Sequence, residues 1–233
     1  MEVEGCVLPD EAYVDLENDV WIRTEGPGAP WTVGILSSLA SLAGRFVSVR
    51  FRPGEGLWKR GQSLATLESF RFTGPFRVPV DARVMARNEA LAGRPKLLND
   101  EPYAAGWVAR ILPEDGPEHP PYPRAAEVAE ELRWKIRALR IHCYPAAPDL
   151  ELYEIGSECS ATLSRLDEEI ARLEPRDVIL LVVDDPTAPI ELVRWERQSG
   201  NRILYQGRDG ELYQYLIRKE PASRPVQKTS RGS

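Results

Sequence analysis

The sequence predicts an α+β protein of two domains, and three observations support this prediction. The chain has 233 residues, which is more than one average domain needs. Its composition changes at residues 112–124, where five prolines fall within thirteen residues and interrupt regular structure. Short runs typical of strands precede this segment, whereas strand and helix patterns alternate after it.

The N-terminal half is predicted to be mostly β. Turn sequences such as GPG, PGEG and GRP separate short strand-like runs, which include VWIR, WTVGIL, FVSVRF and ARVMAR. Residues 37–43, SSLASLA, begin with serine and stop at Gly44, which predicts a short helix. The stretch LESFRFTGPF, residues 67–76, predicts a hairpin tip with Arg71 at its point.

A connecting helix is predicted after the proline-rich segment, because four apolar residues follow at helical spacing: Val128, Leu132, Ile136 and Leu139. Glu131 is placed to pair with Lys135 one turn later. We therefore assign a first domain to residues 1–115 and a second to residues 150–220. Residues 116–149 are assigned as the proline-rich linker with its helix, and residues 221–233 as a disordered tail.

The second domain is predicted to be a two-layer α/β sandwich with the element order β-α-β-α-β-β. A strand at LELYEI precedes a helix whose apolar face holds Leu163, Leu166, Ile170 and Leu173. The run VILLVV at 178–183 has the continuous apolar character of a central strand. A helix follows Pro186, and RILYQ and ELYQYLIR form the closing hairpin.

Charge and composition argue against several functional classes. A net charge of −6 and a pI near 5.2 disfavour binding to nucleic acid or to an acidic membrane. No apolar run approaches the ~20 residues that span a bilayer, and the acidic start MEVEGCVLPDE lacks the features of a secretory signal. We therefore expect a cytoplasmic protein that binds neither membrane nor nucleic acid.

The three cysteines are predicted to be reduced. Cys6, Cys143 and Cys159 are odd in number and widely scattered, which is typical of free thiols rather than of a disulfide framework. With only two histidines beside them, we predict no metal site.

Residues 12–115 resemble the H protein of the glycine cleavage system. The stretches that match are VDLENDVWIR, WTVGIL, LESFR and the segment from Asn88 to Ile111. The resemblance implies a lipoyl-type fold, a β barrel-sandwich hybrid. The family's Glu-Ser-x-Lys motif falls on Glu68, Ser69, Phe70 and Arg71, so arginine stands where the family carries its lipoyl-lysine.

The change to arginine predicts that no lipoate cofactor is attached. A guanidinium has a pKa above about 12, so it stays charged and does not act as the nucleophile that lipoylation needs. Lys59 and Lys96 lie outside the aligned tip and are not expected to replace the missing amine. Two interpretations of Arg71 stay open: a solvated charge, or a contact, shared with Arg77, for a partner's carboxylate or phosphate.

The C-terminal half resembles the TusA/SirA family of sulfur carriers. The matching stretches are GSEC at 156–159, DVILLVVDDP at 177–186 and GELYQYLIRK at 210–219. The resemblance implies that Cys159 is the cysteine that carries a persulfide. The positive end of the following helix would favour its thiolate, although a buried inert cysteine is the alternative.

The family's Cys-Pro-x-Pro motif is altered in this sequence. It is written here as Cys159-Ser160-Ala161-Thr162, so both prolines are replaced. Ser160 can cap the helix in their place, and Asp184-Asp185 are interpreted as capping residues rather than catalytic carboxylates.

Both resemblances imply a carrier rather than an enzyme, and the chain offers no set of nucleophile, base and oxyanion donors. The first hypothesis is a sulfur-trafficking protein in which Cys159 relays sulfur as a persulfide. Its first domain would dock on protein partners in sulfur trafficking or lipoyl-type metabolism. The alternative is a non-catalytic interaction or regulatory module that mimics H protein, with Cys159 inert. The sulfur donor, the acceptor and the oligomeric state stay open.

Overall fold

The computed structural model describes residues 1–114, 116–117, 119–221 and 223. The chain divides into two compact units, Met1–Tyr144 and Pro145–Ser233. Most of the predicted tail, residues 221–233, lies outside the described residues.

The first unit is built mainly from short strands. They are β1 (Glu2–Val3), β2 (Cys6–Val7), β3 (Tyr13–Asp15), β4 (Val20–Arg23), β5 (Trp31–Ile35), β6 (Phe46–Phe51), β7 (Leu57–Trp58), β8 (Ser63–Ser69), β9 (Thr73–Arg77), β10 (Ala82–Arg87) and β11 (Ala109–Pro113). Its helices are α1 (Ser37–Ala43), α2 (Ala90–Gly93), α3 (Leu97–Asp100) and α4 (Ala129–Ala138), and a 3₁₀ turn at Ala125–Val128 precedes α4.

Two antiparallel sheets enclose the main core of the first unit. The larger sheet has the strand order β3-β4-β5-β11-β10-β7, and the smaller has the order β6-β8-β9. Alternate residues point inward, so Val20, Ile22 and Val33 of the large sheet share one core with Val49 and Leu67 of the small sheet. This arrangement confirms the predicted β barrel-sandwich hybrid.

Helix α4 belongs to the first unit, although the sequence assigned it to a linker. Leu132 and Ile136 are buried in a second core with Trp21 of β4 and with residues of the β1-β2 hairpin. Leu139 lies beyond the end of the helix and is 48% exposed. The amphipathic pattern predicted the helix correctly, but it does not reveal which distant residues cover its apolar face.

The predicted pairing of Glu131 with Lys135 is replaced by a longer-range ion pair. The Lys135 ammonium donates to the Leu16 carbonyl at 2.9 Å and to the Asp19 carboxylate at 2.7 Å. Because Asp19 lies just before β4, this pair ties α4 to the large sheet.

A disulfide joins Cys6 to Cys143, so the prediction of reduced thiols was wrong for these two residues. Their sulfurs are 1.96 Å apart and their Cα atoms are 5.0 Å apart, across a sequence separation of 137 residues. The packing of α4 on the β1-β2 hairpin brings the two cysteines together. Scattered positions along the chain gave no sign of this proximity.

The second unit has the predicted element order. Its elements are β12 (Leu150–Glu154), α5 (Cys159–Arg172), β13 (Val178–Val183), α6 (Ala188–Ser199), β14 (Arg202–Asp209) and β15 (Leu212–Arg218). The strands form one sheet in the order β12-β13-β15-β14, in which β12 is parallel to β13 and the other pairs are antiparallel. All six residues of β13 are buried, as expected for a central strand. Helices α5 and α6 cover one face of the sheet through Leu166, Leu192 and Trp195.

Candidate functional site

The first candidate site is the tip of the β8-β9 hairpin. Glu68 is paired with Thr73, and the Ser69 amide donates to the Phe72 carbonyl at 2.8 Å. Phe70 and Arg71 therefore form the two-residue tip, and the Phe70 ring is 91% exposed. The structure thus places Arg71 at the point of the hairpin.

Ser69 holds the shape of this tip through three hydrogen bonds. Its hydroxyl accepts from the amides of Arg71 at 3.2 Å and Phe72 at 3.0 Å, which is the local bonding that favours serine in turns. The same hydroxyl donates to the Ala43 carbonyl at 2.6 Å, at the end of α1. Ser69 is therefore a structural residue that fixes the tip relative to α1, a role the sequence motif alone did not indicate.

The Arg71 side chain folds back onto Gly44, the residue that ends α1. A Cβ atom added at Gly44 would lie only 2.5 Å from Nη2 of Arg71, and Gly44 has a φ of 73°. The positive φ favours glycine there, and an added Cβ would displace the flexible end of the Arg71 side chain. The guanidinium rests beside the last turn of the helix, where backbone carbonyls make the local field negative.

The other residues singled out around the tip have partners of their own. Glu68 forms an ion pair with Arg50 of the neighbouring strand. Arg77 lies six residues further along β9, roughly 20 Å away at strand spacing, and donates to the Gly61 carbonyl at 2.7 Å. Lys59 pairs with Asp81 at 2.8 Å, and Lys96 pairs with Asp100 at 3.3 Å. The structure does not bring Arg71 and Arg77 together as one anion-binding fork.

The stretch of sequence that contains the tip, residues 45–96, is strongly basic. Between Arg45 and Lys96 the sequence holds eleven basic and four acidic residues, a net charge of +7 within a chain of net charge −6. Arg50 and Arg77 are exposed on the small sheet, and Arg52, which follows the end of β6, is exposed as well.

The second candidate site is Cys159, the first residue of α5. Its thiol is partly buried, and it remains free while the other two cysteines are bonded to each other. The turn after β13 supplies its surroundings. The Gly156 amide donates to both oxygens of Asp184, at 2.9 and 3.1 Å.

Asp185 lies in the same turn, two residues before Thr187, the N-cap residue of α6. Its Oδ1 accepts from the backbone amide and from the hydroxyl of Thr187, both at 2.7 Å. The two aspartates thus bind the Gly156 amide and Thr187, and the side-chain cap that the sequence led us to expect for α6 is not observed. Ser160 does not cap α5, because the N-cap residue is Glu158 and its side chain makes no capping bond.

The electrostatics at Cys159 differ from the sequence-based expectation. Burial raises the pKa of the Cys159 thiol above its ordinary value, a hydrogen bond with Thr187 opposes the rise, and the charges of Asp185 and Glu191 add to it. The pKa of Asp185 is lowered, first by its bonds to Thr187 and also by the Cys159 amide. A carboxylate from another element therefore offsets the positive end of α5.

Neither Asp185 nor Thr187 was identified from sequence as a neighbour of the thiol. They follow Cys159 by 26 and 28 residues, and only the parallel pairing of β12 with β13 brings them to the start of α5. Among the residues that the structure describes, no group of three or more potential metal ligands lies together. None of the described helices is long and apolar enough to cross a membrane.

More than half of the chain matches one family model, since residues 12–133 match the model described as Glycine cleavage H-protein. The chain belongs to the glycine cleavage H-protein family. Glycine cleavage system H protein 2 of Aquifex aeolicus is 37% identical over 112 residues, which cover 48% of this chain and 69% of the relative. Glycine cleavage system H protein 5 of the same organism is 35% identical over 119 residues, covering 50% of this chain and 80% of the relative.

A solved glycine cleavage system H protein from Mycobacterium marinum is 23% identical to this chain. The match covers 54% of this chain and 98% of the Mycobacterium marinum chain, with a TM-score of 0.48. The H-protein family match extends to residue 133 and so includes part of α4. Its extent agrees with the packing of α4 in the first unit.

The second unit matches a different family. Residues 154–219 match the model described as Sulfurtransferase TusA. The chain therefore joins an H-protein unit, Met1–Tyr144, to a TusA-like unit, Pro145–Ser233. Cys159 lies within the TusA match, and Arg71 lies within the H-protein match.

Proposed function

We propose that this protein is a non-lipoylated carrier that traffics sulfur as a persulfide on Cys159. The observation that carries the proposal is the free thiol at the first position of α5, inside the TusA match. The family matches of both units support a carrier rather than a catalyst.

Loading of sulfur requires no net oxidation. The Cys159 thiol loses its proton to solvent, and the thiolate attacks the sulfane sulfur of a persulfide or polysulfide donor. A new S–S bond forms on Cys159, the donor's S–S bond breaks, and the donor leaves as a thiolate. Unloading is the reverse: an acceptor nucleophile takes the terminal sulfur, and the electron pair returns to Cys159.

The raised pKa of Cys159 suits retention of the cargo. A thiol of higher pKa is a poorer leaving group, so the terminal sulfur is lost more slowly to chance nucleophiles. At neutral pH the unloaded thiol is also mostly protonated, which protects it from oxidation. A partner that changes the surroundings of Asp185 or Thr187 would then control the transfer.

The H-protein unit serves as a docking unit in this proposal. With Arg71 at the hairpin tip, no acylatable amine stands at the attachment position. The basic segment around the tip and the exposed Phe70 ring favour a protein partner with an acidic surface and an apolar pocket. The overall negative charge of the chain disfavours a polyanion such as nucleic acid.

The alternative function is an interaction module that mimics H protein and leaves Cys159 inert. The loss of both prolines after Cys159, and of the family's lysine at Arg71, favours this alternative. Acceptance of sulfur by Cys159 discriminates between the two functions.

Peptide mass mapping after incubation with inorganic polysulfide tests the proposal. We expect one added sulfur on the peptide that contains Cys159 and none in Cys159→Ser. The double variant Cys6→Ser/Cys143→Ser is the matched control and should load like the parent chain. If neither polysulfide nor a persulfidated protein places sulfur on Cys159, the carrier function is wrong and the interaction module is favoured.

A further inference from the structure

A buried tyrosine lies beneath the start of α5 with its hydroxyl unsatisfied. Tyr215 of β15 is fully buried, and its Oη has no hydrogen-bond partner among the residues that the structure describes. Buried polar groups are nearly always hydrogen-bonded, so an unpaired hydroxyl in a closed core calls for a functional explanation.

The fold brings Tyr215 to the Cys159 end of the unit. Tyr215 is paired with Leu181 of β13, two residues before that strand ends at Val183. The same end of β13 is tied to the start of α5, because Asp184 binds the Gly156 amide. Tyr215 also shares the core under α5 with Leu166.

The charge of Cys159 also acts on the Tyr215 hydroxyl. The pKa of Tyr215 is raised to about 12, first by burial and then by the charges of Tyr213 and Cys159. The Tyr215 hydroxyl is therefore a permanent donor at physiological pH.

A second buried hydroxyl without a hydrogen-bond partner in the described part of the chain, that of Thr162, lies one helical turn after Cys159. Thr162 is 3% exposed. Residues three apart on a helix share a face, so this hydroxyl lies on the same side of α5 as the thiol.

We propose that Tyr215, assisted by Thr162, is the residue that binds the sulfur carried on Cys159. Its Oη donates a hydrogen bond to the persulfide when the cargo is present, which satisfies the hydroxyl that is unpaired in the empty protein. A donor aimed at the charged form of an acid stabilises that form, so Tyr215 favours the persulfide anion. This inference rests on the proposed function of Cys159.

The proposal explains how the unit can carry sulfur without the family's prolines. The thiol itself is kept protonated by burial and by Asp185, but the terminal sulfur extends one bond beyond it. The hydroxyl donors of Tyr215 on β15 and Thr162 on α5 then oppose the effect of the negative charges of Asp185 and Glu191 on the carried sulfur. In this proposal the carried sulfur accepts from the hydroxyls of Tyr215 and Thr162, whereas the empty thiol is hydrogen-bonded to Thr187.

Tyr215→Phe tests this assignment, because it removes only the hydroxyl. The chain is loaded with inorganic polysulfide, and the rate of persulfide alkylation by iodoacetamide is followed against pH. We expect the midpoint of this profile to rise by about 0.5–1 pH unit, the effect of one lost hydrogen bond on an anion. Thr162→Val should shift it in the same direction by less. Tyr153→Phe is the matched control, since the Tyr153 hydroxyl donates to Glu151 on the surface.

If the Tyr215 hydroxyl only stabilised the fold, Tyr215→Phe would lower the unfolding temperature and leave the alkylation midpoint unchanged. Since Oη is unpaired in the empty protein, Tyr215→Phe should leave the unfolding temperature of the unloaded chain unchanged or raise it. In the parent chain, tyrosine labelled at Cζ with an NMR-active carbon isotope should show a shift of the Tyr215 signal on loading, without a shift of Tyr153. Equal alkylation midpoints in the parent and in both variants overturn the assignment while leaving the carrier function intact. If polysulfide does not load the parent chain, the carrier function and this assignment fall together.

Discussion

At residue 71, the resemblance to H proteins implies a lipoyl-lysine, and this chain has arginine. Arg71 keeps the hairpin position, and Ser69 still shapes the tip through its bonds to the amides of Arg71 and Phe72. We therefore expect the hairpin to present a lysine at residue 71 as it presents Arg71.

Arg71→Lys should therefore restore lipoylation. When the variant is co-expressed with a lipoate ligase and supplied with lipoic acid, we expect a lipoyl mass increment on the tip peptide and none for the parent chain. Phe70→Lys is the matched control, because it places an amine one residue away on the same tip. A lipoylated residue between Leu67 and Arg77 in the parent chain would contradict the prediction.

The thiol of Cys159 should titrate at a higher pH than an ordinary cysteine, because burial raises its pKa. Asp185→Asn removes a negative charge but keeps an acceptor for Thr187, so the pKa of Cys159 should fall. Thr187→Val removes the hydrogen bond that favours the thiolate, so that pKa should rise. The pH profile of iodoacetamide alkylation measures both changes, and shifts of the same sign in the two variants would refute the assigned contacts.

The raised pKa of Cys159 also makes the free energy of unfolding depend on pH. Because the folded thiol holds its proton at a pH where the unfolded thiol has lost it, the free energy of unfolding should decrease as pH rises above about 9. Below that pH both states are protonated, and Cys159 contributes no pH dependence.

At the scale of elements, α4 is held by an ion pair that is largely shielded from solvent. The side chains of Lys135 and Asp19 are 21% and 16% exposed. Burial raises the pKa of Asp19, and the bond and charge of Lys135 oppose that rise.

Lys135→Met should destabilise the first unit at about pH 7 by roughly 1–3 kcal/mol, since it leaves a buried carboxylate without its partner. The pKa of Asp19 then rises further. The folded state binds more protons than the unfolded state between 3.8 and that raised value, so the loss should be smaller at about pH 4.

Glu131→Gln is the matched control for this prediction. The sequence places Glu131 one turn from Lys135, but the structure gives the ammonium to Asp19 instead. The control should change the free energy of unfolding by no more than about 0.5 kcal/mol, as measured by urea denaturation. A larger effect for Glu131→Gln than for Lys135→Met would show that the local pair dominates.

Local patterns predicted most elements of this protein, while contacts between distant residues were missed. The periodicity of Leu166 and Ile170 and the apolar run of β13 contain enough information to place a helix and a strand. The neighbours of Cys159 come from a turn 26 residues later, and the disulfide joins residues 137 apart. Side-chain identity alone does not encode such proximity. The helix-dipole argument did not anticipate that burial, and after it the charges of Asp185 and Glu191, raise the pKa of Cys159.

On the scale of the whole molecule, the unit boundary lies later in the chain than the prolines suggest. Tyr122 donates to the Pro79 carbonyl at 2.7 Å, and the Arg124 guanidinium lies 4.2 Å from the centre of the Tyr13 ring. These contacts hold the end of the proline-rich segment against the first unit. The division falls instead between Tyr144 and Pro145.

Limited proteolysis should therefore cut between residues 145 and 149 and leave a resistant fragment that ends near Tyr144. Mass spectrometry of the fragments, under non-reducing conditions, identifies the cut. Cleavage first within residues 119–124, with loss of α4 from the resistant fragment, would contradict the packing of that segment. The two fragments should each unfold cooperatively, because each unit has its own core.

The disulfide also determines the path that a pulling force takes through the chain. Cys6 lies near the start of the first unit, and Cys143 directly precedes its last residue, Tyr144. Tension applied between the N-terminus and the second unit therefore crosses the S–S bond and bypasses nearly everything between. Reduction releases a length of 137 residues, roughly 450–490 Å of extensible chain at full stretch. Under load, the disulfide therefore limits how far the first unit can lengthen in the oxidised protein, and its reduction removes this limit.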